Sequence, residues 1–282
     1  MRNIIGCILI LLSASATCLS AEKEFRCEKE DPATCSALLK KHSQDTTTIG
    51  ERIITIAKEF VDAPYKGKTL EDGQKEKLIL NLQSLDCTTF VESVLALART
   101  SMQNDTTLKS FAGNLAKIRY RDGKSDSYAD RLHYFSDWIM ENSANGIITE
   151  IKPEDAIKCE EKKINFMTSN AGLYPPLKDK QTKEKIAEQE KLLSAGAVCF
   201  VPKEKIPYLK PGDIQNGDIV AILTDIEGLD FAHIGFAYII DGEIHLFHAS
   251  SAAKKVIIDE RTLTEYLNSY KSHRGIRILR PQ

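Results

Sequence analysis

Hydrophobic and polar positions divide the 282-residue chain into regions of different period. Arg2 is followed by an apolar run from Ile4 to Leu12, then by small residues up to Ala21 and an abrupt change to charge at Glu22. Residues 22–50 read as a polar, cysteine-bearing N-terminal arm, loosely helical at most. Thr48-Ile-Gly-Glu51 is a capping-box pattern, and behind it Ile53, Ala57, Phe60 and Val61 share one helical face. Ala63-Pro64 marks the stop, since a residue before proline avoids helical geometry. Residues 86–98 repeat the helical period at Phe90, Val91, Val94, Leu95 and Ala98. Residues 108–118 and 130–140 predict two more helices, the second ending near Asn145-Gly146. The heavily charged stretch 178–193 predicts an exposed helix or insertion. Beyond it, 218–223, 232–240 and 243–249 are short β-rich runs divided by Gly and Asp, and 255–258 and 275–279 add two candidates. Helices first and an antiparallel sheet after is an α+β pattern.

The N-terminal segment is an address. A basic start, a short apolar core and a small-residue exit describe a secretory signal peptide over residues 1–21, cut after Ser20 or Ala21 and too short to span a membrane. The mature protein is therefore expected in the periplasm or outside the cell. Lipid attachment at Cys18 ranks second, because Ser15, Ala16 and Thr17 match a lipoprotein signal poorly. With 42% hydrophobic and 28% charged residues, the remainder suits a soluble globular protein. Lys+Arg 38 against Asp+Glu 40 leaves no global basic field, which disfavours nucleic-acid binding. Export also changes how the seven cysteines are read: removing Cys7 and Cys18 leaves five, so at least one thiol stays single. Cys27 with Cys35 and Cys159 with Cys199 are the expected pairs, and Cys87 is the remainder.

Chemistry concentrates around that remainder. In Leu85-Asp-Cys-Thr-Thr-Phe-Val91, Cys87 falls in the first turn of a predicted helix, with Asp86 or a neighbour as cap. Unpaired amide N–H groups and the positive end of the helix dipole favour a thiolate there, and the same groups suit a developing oxyanion. A base comes from the β-rich tail. Asp241-Gly242 between two alternating runs is a type I′ hairpin signal, which pairs Ile240 with Glu243 and hence Gly235 with His248. Parity then places His233 and His248 on one face as diagonal neighbours, unless a bulge intervenes, while His245 points the other way. His233 is the candidate general base, His248 the group that orients it, and His245 a structural residue. No closely spaced ligand pair suggests zinc, and His42 and His273 read as surface residues. His133, in the aromatic block Arg131-Leu-His-Tyr-Phe-Ser-Asp-Trp138, reads as packing. Arg119-Tyr-Arg-Asp-Gly123 is open between a solvated turn and a ligand-contacting loop.

Several of these pieces occur in a familiar order. Ala63-Pro-Tyr65 with Gly67, Asp86-Cys87, Asn216-Gly-Asp-Ile-Val220, His233-Ile-Gly235 and His248-Ala249 together resemble the NlpC-type superfamily of papain-like cell-wall hydrolases. Leu85-Asp-Cys-Thr-Thr-Phe-Val-Glu92, with the Arg119 and Arg131 blocks, is more similar to its N-acetylmuramoyl-L-alanine amidase-like branch. The resemblance implies a papain-like (NlpC-type) α+β domain over residues 51–282, helices packed on an antiparallel sheet, with a large insertion around 100–215. It implies a Cys87–His233–His248 triad, with Tyr65 and Asp86 contacting substrate and the Tyr65 hydroxyl near the oxyanion. Thr88-Thr89 replaces the Ser-Gly that follows the cysteine in familiar members. The implied partner of this monomer is peptidoglycan or muropeptide fragments, with no cofactor or metal. The implied reaction is cysteine-dependent cleavage between muramic acid and L-Ala. Alternatives are an endopeptidase cutting within the stem peptide, for instance after D-Glu, a catalytically idle wall binder, and a thiol acyltransferase.

Overall fold

The computed structural model describes residues 25–71, 75–103 and 106–282; the signal-peptide reading of 1–21, with Cys7 and Cys18, lies outside them. β1 (Phe25–Cys27) pairs in parallel with β2 (Leu78–Leu80), and α1 (Asp31–His42) follows β1. Cys35 and Leu39 of α1 are enclosed in the main hydrophobic core, and the buried Asp31 carboxylate accepts the amides of Glu28 and Leu82. Residues 25–42 are thus built into the domain rather than standing off as an arm.

α2 (Ile49–Lys58) starts in the expected capping box of Thr48 and Glu51. Next come α3 (Cys87–Met102), α4 (Leu108–Arg119) and α5 (Phe135–Ala144). α5 starts five residues later than the sequence pattern predicts, because Arg131 bridges Tyr120 and the chain stays extended as far as Tyr134. α3 is apolar on nearly every side, as expected of a helix buried at the centre. Its Phe90 meets Phe60, Phe236 and Phe247 at ring-centroid distances of 6.3, 5.6 and 5.7 Å.

The sheet order is β4 (Lys158–Glu161), β5 (Ala197–Pro202), β10 (His273–Pro281), β6 (Ile219–Thr224), β7 (Phe231–Ile240), β8 (Glu243–Ser250), β9 (Lys255–Thr262). β3 (Ile148–Ile151) pairs with the far end of β10, and all these pairings are antiparallel. Ile219, Ala221, Phe236 and Phe247 join the core that holds α3. Val220, Ile222, Ala237 and Leu246 pack instead with Leu263, Tyr266 and Leu267 of α8 (Leu263–Asn268). Burial on both faces explains why the strand runs are almost continuously apolar.

Of the two expected disulfides, Cys159–Cys199 forms, its residues directly opposed across β4 and β5. Cys27 and Cys35 are not joined: Cys35 is a fully enclosed core side chain, while Cys27 lies in register with Leu80 on β1. His42 and His273 are also buried rather than on the surface. His42 closes the last turn of α1 with Nε2 3.8 Å from Glu59, and His273 lies against the rings of Tyr266 and Tyr270. The charged stretch forms α7 (Lys180–Leu193), capped by Asp179. With α6 (Phe166–Ser169) it closes a small separate core around Tyr134, Met167, Leu177 and Ile186.

Arg119-Tyr-Arg-Asp-Gly123 resolves as structure. Arg119 Nε donates to Glu92 Oε2 at 2.6 Å and its Nη1 to the Ile79 carbonyl at 2.7 Å, tying α4, α3 and β2 together. Both side chains are almost wholly buried, and burial pushes the Glu92 carboxyl up against the pull of Arg119. Glu92→Ala would leave an uncompensated guanidinium in the core. It should cost about 3–5 kcal/mol in chemical denaturation. A loss below about 1 kcal/mol would mean that water reaches the pair.

Candidate active site

Local rules at the start of α3 place the thiol. Asp86 is the N-cap: its Oδ1 accepts the Thr89 amide and the Thr89 hydroxyl, both at 2.8 Å, and the Asp86 amide donates to Thr89 Oγ1 at 2.9 Å. This closed box explains the threonine two residues beyond Cys87, and it leaves Cys87 as the first helical residue. Asp86 therefore caps the helix with one carboxylate oxygen while staying half-buried at the mouth of the site. The segment Ala63-Pro64-Tyr65 is wedged alongside. The Leu85 amide donates to the Pro64 carbonyl at 3.0 Å, and the Tyr65 amide donates to Lys254 at 2.8 Å. Tyr65 bridges Leu85, two residues before Cys87, and burial, then the charges of Cys87 and Asp86, push its phenol up.

The hairpin supplies the imidazoles. Asp241 and Gly242 have φ of 51° and 86°, and Ile240 pairs with Glu243, Tyr238 with His245 and Phe236 with Phe247. One further step sets Gly235 against His248: a Cβ on Gly235 would lie 2.9 Å from His248 Cβ, so only glycine fits. His233 and His248 share a face as parity predicts, with His233 Nε2 2.6 Å from His248 Nδ1 and the rings nearly perpendicular. His245, on the opposite face, donates from Nδ1 to the Asp259 carbonyl at 3.0 Å. His133 likewise donates to the Tyr128 carbonyl at 2.7 Å and stacks on the Tyr128 ring, a packing role.

Two further residues complete the site, neither of them singled out from the sequence. Ile257 opposes His248 across β8 and β9, so Asp259, two residues on, falls on the same face. Its Oδ2 lies 3.5 Å from His248 Nε2, while Arg261 holds both carboxylate oxygens at 2.8 Å. Burial opposes the charge, but the hydrogen bonds from Arg261 and His248 hold this carboxyl well below the usual carboxylate range. Tyr266 of α8 is the other. Its ring lies 6.2 Å from His233, 5.4 Å from His248 and 5.8 Å from His273, with the Arg261 guanidinium 4.9 Å over its face.

Proton positions follow from this order. An ionised Asp259 only accepts, so His248 carries its proton on Nε2 and offers Nδ1 as an acceptor. His233 must then carry its proton on Nε2, which leaves the Nδ1 lone pair for the thiol. The sulfur itself receives hydrogen bonds from the amide of Ile234, next to His233, and from Thr88. Burial and the Asp86 charge nevertheless push the Cys87 thiol up to about 12. Burial, then the neighbouring His248 and His273, push His233 down to about 3. Burial thus works against the thiolate expected at the helix start and favours a neutral thiol beside a neutral imidazole, opposing the pull of the helix end. Among the described residues, no group of three or more His, Cys, Asp or Glu side chains is disposed to hold a metal ion.

Comparison with known proteins adds an independent line. The family model described as AmiA-like, N-acetylmuramoyl-L-alanine amidase-like, matches residues 55–276. Two crystal structures of an N-acetylmuramoyl-L-alanine amidase from Bacteroides uniformis ATCC 8492 are 37% and 38% identical to the chain. Each has a TM-score of 0.79 and covers 83% of this chain and 99% of that one. A Bacteroides fragilis structure carrying a provisional xylanase label is 41% identical, with a TM-score of 0.73, over 79% of this chain and 98% of that one. No curated protein matches.

A neutral resting pair has a chemical signature. Iodoacetamide alkylation of Cys87, followed on its own peptide by mass spectrometry, should rise about tenfold per pH unit up to about pH 10. A plateau in rate between about pH 5 and 7 would instead reveal a preformed thiolate–imidazolium pair.

Proposed function

The chain belongs to the AmiA-like, N-acetylmuramoyl-L-alanine amidase-like family, and from that membership we propose an exported, cysteine-dependent amidase acting on peptidoglycan or its fragments. The proposed bond is the one joining the lactyl group of N-acetylmuramic acid to L-Ala of the stem peptide, and the proposed scaffold is papain-like, of the NlpC type. The observation that carries the reading is the 2.6 Å contact of His233 with His248, with Asp259 3.5 Å beyond and held by Arg261, on a strand whose next residue, Ile234, offers its amide to the Cys87 sulfur.

In the proposed reaction Cys87 Sγ attacks the lactyl carbonyl carbon while its proton moves to His233 Nδ1. Because both groups start neutral, proton transfer and attack are coupled, and His248 and Asp259 stabilise the imidazolium that forms. The oxyanion is met by amides at the start of α3 and by the Tyr65 hydroxyl; a single such donor is typically worth about 10²–10³ in rate. Collapse breaks the C–N bond, and His233 returns the proton to the departing L-Ala nitrogen. A water deprotonated by His233 then attacks the thioester, the C–S bond breaks, and the thiol takes its proton back. The products are muramic acid with a free lactyl carboxyl and a peptide beginning at L-Ala.

A glycosidase, the chemistry of the label on the Bacteroides fragilis neighbour, would need two carboxyl groups flanking the sugar bond. The carboxylates nearest the thiol are otherwise engaged: Asp86 caps α3, Asp259 is held by Arg261 and Glu92 by Arg119. An endopeptidase cutting within the stem would use the same catalytic groups, so product identity separates it.

Defined muropeptides incubated with the mature protein and analysed by mass spectrometry should give free stem peptide beginning at L-Ala and an intact muramic sugar, and Cys87→Ala should give neither. Shortened stems still joined to sugar would make it an endopeptidase, and turnover surviving Cys87→Ala would end the thiol mechanism. Asp259→Asn should lower kcat on the order of 10²-fold with KM little changed. In the same variant, ¹⁵N spectra of His248 should show its proton shared between both ring nitrogens. A proton that stays on Nε2 would mean that Asp259 does not set the tautomer.

A further inference from the structure

A cavity lies away from the thiol, between the loop that follows Tyr65 and the insertion. It encloses about 700 Å³, the size of a site for a small peptide. Among the described residues that line it, five are basic, Arg26, Lys68, Lys75, Lys77 and Arg131, against two carboxylates, Glu71 and Glu76. This local excess of positive charge stands in a chain whose net charge is −2. Glu76 is engaged, accepting from the Tyr120 hydroxyl at 2.8 Å and from Arg131 at 3.2 Å, so it does little to repel an anion. The Tyr128 wall is stiff, its ring held between His133 at 4.3 Å and the Arg131 guanidinium at 4.8 Å. Apolar surface comes from Leu70, Leu173, Pro175 and Pro176.

The cavity is within reach of the chemistry. Tyr65 bridges Leu85, two residues before Cys87, and Lys68, three residues on from Tyr65, lines the cavity. A Cβ on Gly67, between them, would lie 4.0 Å from the Tyr65 hydroxyl. Three residues span at most about 11 Å, so the Lys68 edge of the cavity lies no further than that from Tyr65.

Resting on the amidase reading, we propose that this cavity is the subsite for the acidic part of the leaving stem peptide. It takes the free α-carboxylate of the γ-linked D-Glu that follows L-Ala, and then the zwitterionic end of a diamino acid in third position. Lysines answer the carboxylates, Glu71 answers the ammonium, and Leu70 with the two prolines covers the aliphatic links. That mixture fits a zwitterionic peptide better than a phosphate or a bare sugar, which would leave the apolar wall or the carboxylates unmatched.

The test is titration calorimetry of full-length mature protein carrying Cys87→Ala with two synthetic peptides. One is L-Ala-γ-D-Glu-meso-diaminopimelate, and the other is the same peptide with the D-Glu α-carboxylate amidated. The acid form should bind about 10-fold more tightly. Lys68→Gln combined with Lys75→Gln should remove most of that preference, and Lys68→Arg should keep it, with circular dichroism checking that each variant is folded. The acid–amide comparison on the unaltered cavity needs no lysine variant to be informative. Equal affinity for the two peptides, or a preference that survives in a folded double variant, overturns the proposal. Hydrolysis of muramoyl-L-Ala substrates by the unmodified enzyme is measured in parallel. Cleavage without acid–amide discrimination rejects the cavity and keeps the amidase, whereas discrimination without cleavage keeps the peptide site and rejects the amidase.

Discussion

The 2.6 Å hydrogen bond between His233 Nε2 and His248 Nδ1 is the constraint on which the rest of the site depends. It exists because two strands are held in one register, and a slip of a single residue would turn one ring to the opposite face. Positive φ at both Asp241 and Gly242 sets that register at the turn, and Gly235 leaves His248 the room to stand beside it. The irregularities fall elsewhere. β6 with β7 shifts between Ile222 and Leu223, and β8 with β9 shifts between His245 and Phe247, while the hairpin itself stays regular from Phe236 to Ile240. The second shift lies just past the Ile258–Phe247 pair and opens the strand around Asp259, where Arg261 turns back to grip its carboxylate.

Enclosure then decides how the site is charged. Tyr266 packs against both imidazoles and His273 against Tyr266, and burial that pushes Cys87 up also pushes His233 down. A helix N-terminus worth about 0.3–1 kcal/mol cannot outweigh a desolvation penalty of several pKa units. Asp259 keeps its charge beside the two imidazoles because a bidentate guanidinium neutralises it on the spot. In the proposed reaction, ionisation is thereby deferred until a substrate carbonyl is present to receive the electron pair.

What could be read in advance was whatever depended on short range. The cap at Asp86, the helical position of Cys87 and the facing of His233 and His248 each follow from neighbours within a few residues or from one tight turn. Asp259 escaped because 255–258 ended one residue too early, and its facing rests on the β8–β9 register, which no turn signal announces. Tyr266 sits in a helix of six residues whose Thr262–Glu265 capping box was legible but whose neighbours come from β7, β8 and β10. Cys35, His42 and His273 were misread for one reason: a polar or reactive residue in a polar-looking segment gives no local sign that another element will cover it. Asn216-Gly-Asp218 carried family resemblance yet serves as scaffold. Asn216 accepts the Ile239 amide at 2.7 Å, and Asp218 holds Arg280 through both carboxylate oxygens.

The insertion offers a way for the proposed catalytic centre to be given its own selectivity without disturbing the hairpin. Its small core is attached to α5 through Tyr134, whose hydroxyl donates to the buried Glu190 at 2.7 Å and accepts the Met167 amide at 2.8 Å. Glu190 in turn accepts the Thr168 amide, so α5, α6 and α7 share one polar junction inside an otherwise apolar cluster. The turn through Leu173, Pro175 and Pro176 hangs between α6 and α7 and is positioned by that junction. Changes on that turn can reshape one wall of the cavity while the Arg119–Glu92 tie, the α3 cap and the histidine pair stay as they are. The proposed catalytic line is set by sheet register and helix capping and the cavity wall by a satellite core, and the two are joined through segments 65–71 and 119–135 and through the pairing of Ile164 with Gly228.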